Sequence, residues 1–202
     1  MQNNFTVTKD YTDYKLAFLE ENAKHNLISK NDEKFLYEKH IFDSLSIKIF
    51  LDKYNIKEAS FLDIGCGGGF PCVPIAIEYP ELNITGIDSI RKKINSVQNI
   101  KNKLELNNLT LLCDRVENLK KLNFDIVVSR AVADMAKISN YALPLVKKGG
   151  YFVAYKSQKV LEEIENAKSV LKTLNAEIID IIKYTLPLDE SFERYLVCVK
   201  KH

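Results

Sequence analysis

The chain has 202 residues, of which 46% are hydrophobic, and its formal net charge is only +2 at pH 7. This length and composition fit a single domain with a substantial hydrophobic core. No apolar run approaches the roughly 20 residues that cross a bilayer, which excludes a membrane-spanning helix. The near-neutral charge excludes a global basic field, so nucleic-acid binding would have to come from a local patch.

The amino terminus and the cysteines bear on location and metal content. The first residues, MQNNFTVTKDYTDYK, lack a basic segment followed by an apolar one, so we expect a cytoplasmic protein. The four cysteines, Cys66, Cys72, Cys113 and Cys198, form no pair of C-x-x-C motifs. We therefore expect neither a structural zinc site nor a disulfide framework, and no metal cofactor.

The amino-terminal quarter of the chain is predicted to be helical. Apolar residues recur at three- and four-residue spacing over residues 11–58, and neither glycine nor proline occurs before residue 65. We therefore predict a helical extension over residues 1–58, followed by a second unit over residues 59–202, the two forming one structural whole.

From residue 59 onwards, short β-rich runs alternate with amphipathic helices. Helices are predicted over 90–107, 134–143 and 158–174, and strands over 59–64, 82–88, 109–113, 124–129, 149–156, 176–184 and 194–200. Such alternation predicts a doubly wound α/β fold with a mostly parallel seven-stranded sheet. The last two strands are joined without a helix, which predicts an antiparallel hairpin at the edge of the sheet.

The stretch FLDIGCGGGFP, residues 61–71, holds four of the seven glycines of the chain. An apolar strand that runs into such a turn is typical of nucleotide-binding α/β folds. The dinucleotide pattern Gly-x-Gly-x-x-Gly fails in both possible frames, because its third glycine would fall on Phe70 or on Cys72. A dinucleotide cofactor is therefore not expected.

The pattern Gly-x-Gly-x-Gly fits instead, at Gly65, Gly67 and Gly69, and is typical of S-adenosylmethionine-dependent methyltransferases. Asp63 precedes it, as an acid usually does in that motif. Asp88 ends the second strand, 19 residues beyond Gly69, where a carboxylate can accept both ribose hydroxyls of an adenosine. The alternative is a tight turn and a helix-capping aspartate.

The segment DRVENL follows the third strand and places Val116 and Glu117 where such enzymes hold the adenine. An apolar side chain there can cover the base while a neighbouring backbone group or acid contacts its amino group. The alternative is an ordinary surface turn.

The loop after the fourth strand, VVSRAVAD, disfavours several target chemistries. It has no proline or aromatic residue to clamp an exocyclic adenine amine, and no cysteine to attack cytosine C5. Ser129 and Arg130 stand where ribose methylation would place an aspartate. The remaining target is one that is already nucleophilic, such as guanine N7, for which catalysis is mostly positioning and no general base is expected.

Several stretches along the chain together carry a family resemblance. In order they are NLIS (26–29), HIFDSL (40–45), DIGCGGGFPCVPIAI (63–77), DSIRKK (88–93), RVE (115–117), SRAVA (129–133) and ERYLV (193–197). With them the chain resembles the RsmG/GidB family of guanine-N7 rRNA methyltransferases along nearly its whole length. The resemblance implies the Rossmann-like fold of class I S-adenosylmethionine-dependent methyltransferases. It also implies methyl transfer to a guanine in the decoding-region stem-loop of bacterial 16S rRNA.

The resemblance also implies which residues hold the cofactor. They are Gly65, Phe70, Val116, Glu117 and Arg130, with Asp88 and its neighbour Ser89 at the ribose and Gly67 in the motif itself. Cys66 and Gly68 depart from the usual residues between the glycines, but both are small, so cofactor binding should survive. Lys156 is followed by Ser157 where the family usually has glycine, which leaves the path of the target-side loop open.

The RNA side is assigned from local charge and helical spacing. Residues 91–103 carry five basic residues and no acidic one, and begin with Arg91, Lys92 and Lys93. His40 and Asp43 share one face of a predicted helix, and Lys156 and Arg194 complete the predicted target-side set. The alternatives are a solvated helix face for the basic run, an intrahelical pair for His40 and Asp43, and an ion pair for Arg194.

The expected partner is 16S rRNA or the small ribosomal subunit. We expect the protein to be a monomer and to have no membrane partner. Two other functions stay open: methylation of another RNA or a small molecule, and non-catalytic RNA binding that merely retains the pocket.

Overall fold

The computed structural model describes residues 5–119, 122–188 and 192–202, which form a seven-stranded sheet flanked by helices. The strand order is β3-β2-β1-β4-β5-β7-β6. The strands are β1 Ser60–Ile64, β2 Asn83–Asp88, β3 Leu109–Cys113, β4 Phe124–Arg130, β5 Val146–Lys156, β6 Ala176–Leu186 and β7 Phe192–Lys201. The first five pair in parallel, while β7 lies antiparallel to both β5 and β6. The predicted doubly wound sheet with an antiparallel terminal hairpin is confirmed.

Eight α-helices are described, together with one π-helical and two 3₁₀ segments. The α-helices are α1 Thr12–His25, α2 Lys30–Glu33, α3 Asp43–Leu45, α4 Ile47–Lys53, α5 Cys72–Glu78, α6 Arg91–Lys103, α7 Met135–Ala142 and α8 Val160–Thr173. The π-helix spans Leu36–Phe42, and the 3₁₀ turns span Val116–Asn118 and Leu143–Leu145. Within the described ranges, no helix combines the length and apolarity needed to cross a membrane.

Two apolar cores cover the two faces of the sheet. Successive strand residues point to opposite faces, so Phe61 belongs to one core and its neighbour Leu62 to the other. The first core receives side chains from α1, α4, α5 and α6, and the second from α7 and α8. The amino-terminal helices share the first core with the sheet. The predicted boundary at residue 58, between the helical extension and the second unit, therefore stays a prediction.

Strand β5 begins three residues earlier than the predicted start at residue 149, because its pairing with β4 contains a bulge. The register between the two strands shifts after Phe124. At the bulge Gly149 has φ +80°, and a Cβ on Gly150 would lie 2.6 Å from the carbonyl oxygen of Asp125. The two glycines thus continue a strand whose early part sequence alternation does not reveal.

A buried ion pair holds the amino-terminal helices across the carboxyl end of the sheet. Arg130, the last residue of β4, donates from Nη1 to Asp43 Oδ2 at 2.9 Å. The other carboxylate oxygen of Asp43 accepts from Tyr184 of β6 at 2.6 Å. Nearby, Tyr155 of β5 donates to the carbonyl oxygen of Ser44 at 2.7 Å. Three strands therefore fix the short helix α3, and this arrangement forms one wall of the cleft described below.

We expect Tyr184→Phe to lower the free energy of unfolding by about 2 kcal/mol, because it removes a hydrogen bond to a buried carboxylate and leaves the packing intact. Urea denaturation measures the difference. Tyr195→Phe is the matched control, since its hydroxyl reaches only Glu193, two residues away on β7, and should cost less than about 0.5 kcal/mol. Equal losses in the two variants would contradict the role given to Tyr184.

Candidate active site

The glycine loop joins β1 to α5, and its glycines serve different purposes. Gly65, Gly67 and Gly69 have φ values of +72°, +54° and +94°, a region that L side chains rarely adopt. A Cβ on Gly69 would lie 2.7 Å from Val73 Cγ2, so this glycine permits helix α5 to pack closely. A Cβ on Gly67 would meet only the Gly65 carbonyl oxygen, at 3.8 Å. Gly67 therefore presents its backbone to open space, where a ligand can approach.

Asp88 connects the glycine loop to the end of β2. Its Oδ2 accepts from the amide of Gly67 at 2.9 Å, and its Oδ1 accepts from the amide of Ile90 at 2.8 Å. Each carboxylate oxygen retains a further lone pair, so the group can still accept hydroxyl donors. Ser89, the predicted neighbour at the ribose, is exposed beside it. Asp88 thus shapes the loop and keeps acceptor capacity for a ligand.

Asp63 lies fully buried near the end of β1, beside the loop. One of its oxygens accepts from the amide of Cys72 at 3.1 Å, and Oδ1 has no partner among the described residues. Burial raises the pKa of Asp63 to about 7. A buried acceptor without a partner is costly, and it fits a bound molecule that carries a hydrogen-bond donor, such as an ammonium group.

Val116 and Glu117 lie on the 3₁₀ turn that follows β3. Asp88 pairs in register with Cys113 at the end of that strand, so the turn leaves the sheet next to the predicted ribose site. Val116 is half-buried against the second core and Glu117 is exposed. Both line a depression of about 400 Å³, which shares no described lining residue with the cleft described next. Their contact with adenine stays a prediction.

A cleft of about 590 Å³ lies at the carboxyl ends of β4 and β5. Most of the predicted target-side residues and one predicted cofactor residue meet there. The lining residues are Asp32, Lys39, His40, Asp43, Arg130, Ala131, Val132, Ala133, Asp134, Tyr155, Lys156, Ser157, Glu163 and Arg194. The structure therefore brings together residues from the amino-terminal helices, from β4 and the loop after it, from β5 and β7, and from α8 to form this cleft.

Arg130 organises one wall of the cleft. Besides Asp43, its Nη1 donates to the carbonyl oxygen of Lys39 at 3.1 Å, and its guanidinium lies 5.2 Å from the ring centroid of Phe70. The Phe70 ring is only 4% exposed and packs 5.1 Å from the ring of Phe18. The ring of Phe70 therefore supports Arg130, and the contact of Phe70 with the cofactor stays a prediction.

His40 is a neutral group in this environment. Its Nδ1 lies 3.3 Å from Nη2 of Arg130, and because arginine only donates, Nδ1 must accept and the proton sits on Nε2. Burial lowers the pKa of His40 to about 4, and the Arg130 charge adds to this effect. His40 therefore lines the cleft, where its target-side role stays a prediction; it carries no charge near neutral pH and cannot attract phosphate electrostatically.

The loop after β4 is held at two points by one ion pair. Lys156 donates to the carbonyl oxygen of Ala133 at 2.7 Å and pairs with Glu163 of α8 at 2.6 Å. The same Glu163 oxygen accepts from the amide of Met135 at 2.9 Å. Just before these two points, Val132 lies against the glycine loop, since Val132 Cγ2 is 2.7 Å from where a Cβ of Gly65 would be. Lys156 borders the cleft and its ammonium positions the loop, while its target-side role stays a prediction.

The basic segment at the start of α6 follows Asp88 directly. Arg91 and Lys92 are exposed and Lys93 is half-buried, so the charges lie at the same edge of the sheet as the glycine loop. Arg194, at the rim of the cleft, donates to the carbonyl oxygen of Glu193 at 3.1 Å, and no ion pair of Arg194 is found among the described residues. The contact of these four residues with RNA stays a prediction.

The residues of the site that sequence patterns did not indicate include Lys39, Glu163 and Tyr184. Each acts on a residue distant in the chain, and none belongs to a recognisable motif. Val132, in contrast, lies within the SRAVA stretch, so the motif marked the segment without revealing its contact with Gly65.

Comparison with known proteins decides the family. A family model described as GidB, rRNA small subunit methyltransferase G, matches residues 8–187. The ribosomal RNA small subunit methyltransferase G of Lachnoclostridium phytofermentans is 42% identical over 189 residues, covering 91% of this chain and 76% of that protein. The protein of the same name from Oceanobacillus iheyensis is 39% identical over 199 residues, covering 96% and 82%. The chain belongs to this family.

The fold agrees with that of a solved methyltransferase. Magnesium protoporphyrin IX methyltransferase from Synechocystis, with S-adenosylmethionine bound, matches with a TM-score of 0.68 at 13% identity, over 98% of this chain and all of the other. Membership of the rRNA small subunit methyltransferase family confirms the predicted enzyme class and the predicted cofactor, S-adenosylmethionine. The residue assignments within the site stay predictions.

Gly67→Val should abolish S-adenosylmethionine binding in calorimetric titration, because the side chain would fill the open space in front of the loop. Gly149→Val is the matched control. It imposes a similar backbone strain at φ +80°, with no atom within 4 Å of the added Cβ, and should destabilise the fold without changing cofactor affinity. Unchanged affinity in Gly67→Val, or equal loss in both variants, would refute the assignment of the loop.

Proposed function

We propose that this enzyme transfers a methyl group from S-adenosylmethionine to N7 of a guanine in the decoding-region stem-loop of 16S rRNA. The observation that carries the proposal is the state of the potential bases in the cleft. Each lining carboxylate is already engaged within the protein: Asp32 with Lys39, Asp43 with Arg130 and Tyr184, Asp134 with the amide of Lys137, and Glu163 with Lys156. Guanine N7 needs no base, since it presents a lone pair and no proton.

The cofactor would lie along the glycine loop. When bound, it supplies an electrophilic methyl group. Gly67 leaves space for it, Asp88 and Ser89 would hold the ribose, and the unpaired oxygen of Asp63 would accept from its ammonium group. Val116 and Glu117 would flank the adenine. Here the protein contributes binding and orientation, which for a ready nucleophile are the main sources of rate.

The target guanine would enter the cleft beside Arg130. Val132 and the clamp of Lys156 and Glu163 fix the loop between the glycine motif and the cleft, so the base would be confined to one approach. The rigid guanidinium of Arg130 would border the base. His40 would line the same pocket and, being neutral, would not attract an RNA phosphate into it. The protein would act as a monomer in the cytoplasm, where its rRNA substrate is found.

Mapping of 7-methylguanosine in 16S rRNA, from cells with and without the gene, tests the proposal. We expect the modification at the decoding-region guanine to disappear without the gene and to return on complementation. An unchanged pattern would overturn the proposal. Methylation of a different purified RNA or of a small molecule, or binding without turnover, would support the other functions considered.

Replacing Arg91, Lys92 and Lys93 together with glutamine should weaken rRNA binding and flatten its dependence on salt, because fewer counterions are released. Filter binding at several salt concentrations measures the slope, and cofactor affinity should stay unchanged. A charge-matched control replaces three exposed lysines far from the glycine loop. They are Lys57, which precedes β1, Lys148 near the start of β5, and Lys172 in the last turn of α8. If both triple variants give the same slope as the parent enzyme, the segment is only a solvated helix face.

The single-turnover rate at saturating cofactor and RNA should be nearly flat from about pH 6 to 9, within a few-fold. His40, with its pKa lowered to about 4 by burial, stays neutral throughout that range. Burial raises the pKa of Asp63 to about 7, so its titration in this range can change cofactor affinity. Saturating cofactor removes that effect from the measured rate. A log-linear rise with pH that is lost in His40→Ala would show that a base is at work and would indicate an exocyclic amine or a ribose hydroxyl as the target.

A further inference from the structure

We propose that a second groove, next to the cleft, holds an unpaired nucleotide of the RNA beside the target guanine. The groove has a volume of about 460 Å³ and is lined by Lys34, Phe35, Glu38, Lys39, Pro187, Leu188 and Phe192. We call it the Phe35–Phe192 groove. The inference rests on the proposed RNA substrate and adds to it a site for a neighbouring base.

The walls of the groove suit a flat base. Phe192, at the start of β7, is 37% exposed, and Phe35 is half-buried at the start of the π-helix. Pro187 and Leu188 extend the apolar surface on the β6 side. Exposed aromatic rings are costly in water, and in proteins that bind single-stranded nucleic acids they serve as stacking surfaces for bases. The volume falls within the range of small-ligand sites, about 300 to 1,000 Å³.

The charges of the groove favour a nucleotide over an apolar peptide. The ammonium groups of Lys34 and Lys39 lie 4.9 Å and 4.5 Å from the ring centroid of Phe35. Lys39 is also paired with Asp32, whereas no ion pair of Lys34 is found in the described part of the chain. Lys34 is therefore available for a phosphate. Glu38 is the one acid among the described residues of the lining, and an exocyclic amine or ring N–H of a base could donate to it.

The groove adjoins the cleft at Lys39. Lys39 lines both, and its carbonyl oxygen accepts from Arg130, so the residue is fixed between the two sites. An RNA strand whose guanine occupies the cleft would therefore pass Lys39 before reaching Phe192. A guanine withdrawn from its helix leaves its neighbours unstacked, and a stacking surface at this position would compensate for that loss.

Binding of an unmodified transcript of the decoding-region stem-loop tests the proposal. Phe192→Ala should weaken binding by about tenfold, Phe192→Leu nearly as much, and Phe192→Tyr hardly at all, because only an aromatic ring can stack on a base. Ile181→Ala is the matched control, since Ile181 is 40% exposed on the same hairpin. Thermal unfolding of each variant checks that the fold is kept. Equal affinity of Phe192→Ala and the parent enzyme would overturn the proposal and leave a protein as the occupant.

Lys34→Gln provides an independent measurement. It should lower the salt slope of RNA binding by about 0.7, the value for one contact to single-stranded phosphate, and an unchanged slope would contradict the phosphate contact. The two proposals fail in different ways. If the parent enzyme binds and methylates the RNA while the Phe192 variants behave like it, only the groove is refuted. If the parent enzyme methylates neither the RNA nor unmodified small ribosomal subunits, the proposed function is refuted.

Discussion

The ion pair between Arg130 and Asp43 is the contact on which the site depends. It joins the end of the central strand β4 to the amino-terminal helices, with its side chains 16% and 8% exposed. A buried pair of this kind contributes little net stability, since the loss of hydration offsets much of the attraction, but removing one partner leaves an uncompensated charge. Its value lies in geometry. One guanidinium fixes Asp43, the carbonyl group of Lys39, the tautomer of His40 and the ring of Phe70.

The sheet and the cofactor loop could be predicted from sequence because their determinants are local. The alternation of strands and helices predicts the order of elements, and the absence of a helix between the last two strands predicts the hairpin. The positive φ values of Gly65, Gly67 and Gly69 accord with the reason for expecting glycine there. The hydrogen bond from the Gly67 amide to Asp88 joins two motifs that sequence order had already placed on neighbouring strands.

The contacts that complete the cleft could not be predicted, because they join residues far apart in the chain. Arg130 and Asp43 are 87 residues apart, and Tyr184 and Asp43 are 141 apart. Spacing within a helix suggested a relation between His40 and Asp43, yet the structure relates them through Arg130 of another element. The main contact of Lys156 could not be predicted from its sequence neighbours either. Its charge indicated a target-side role, whereas its partner Glu163 lies on a helix for which no motif indicated function.

These contacts suit a cleft whose reaction needs positioning more than a base, since its lining carboxylates are engaged within the protein. For a nucleophile that needs no deprotonation, rate comes from holding two reactants at the right distance and angle, so an error of position is more harmful than a missing proton acceptor. The protein meets this requirement with ion pairs between its own side chains. Arg130 pairs with Asp43 on one wall of the cleft, and Lys156 pairs with Glu163 on the other. Both walls are thereby fixed before any ligand arrives. Arg91 and Lys92 are exposed and lie outside the cleft, so under the proposed function attraction of the RNA and positioning of its base would fall largely to different residues.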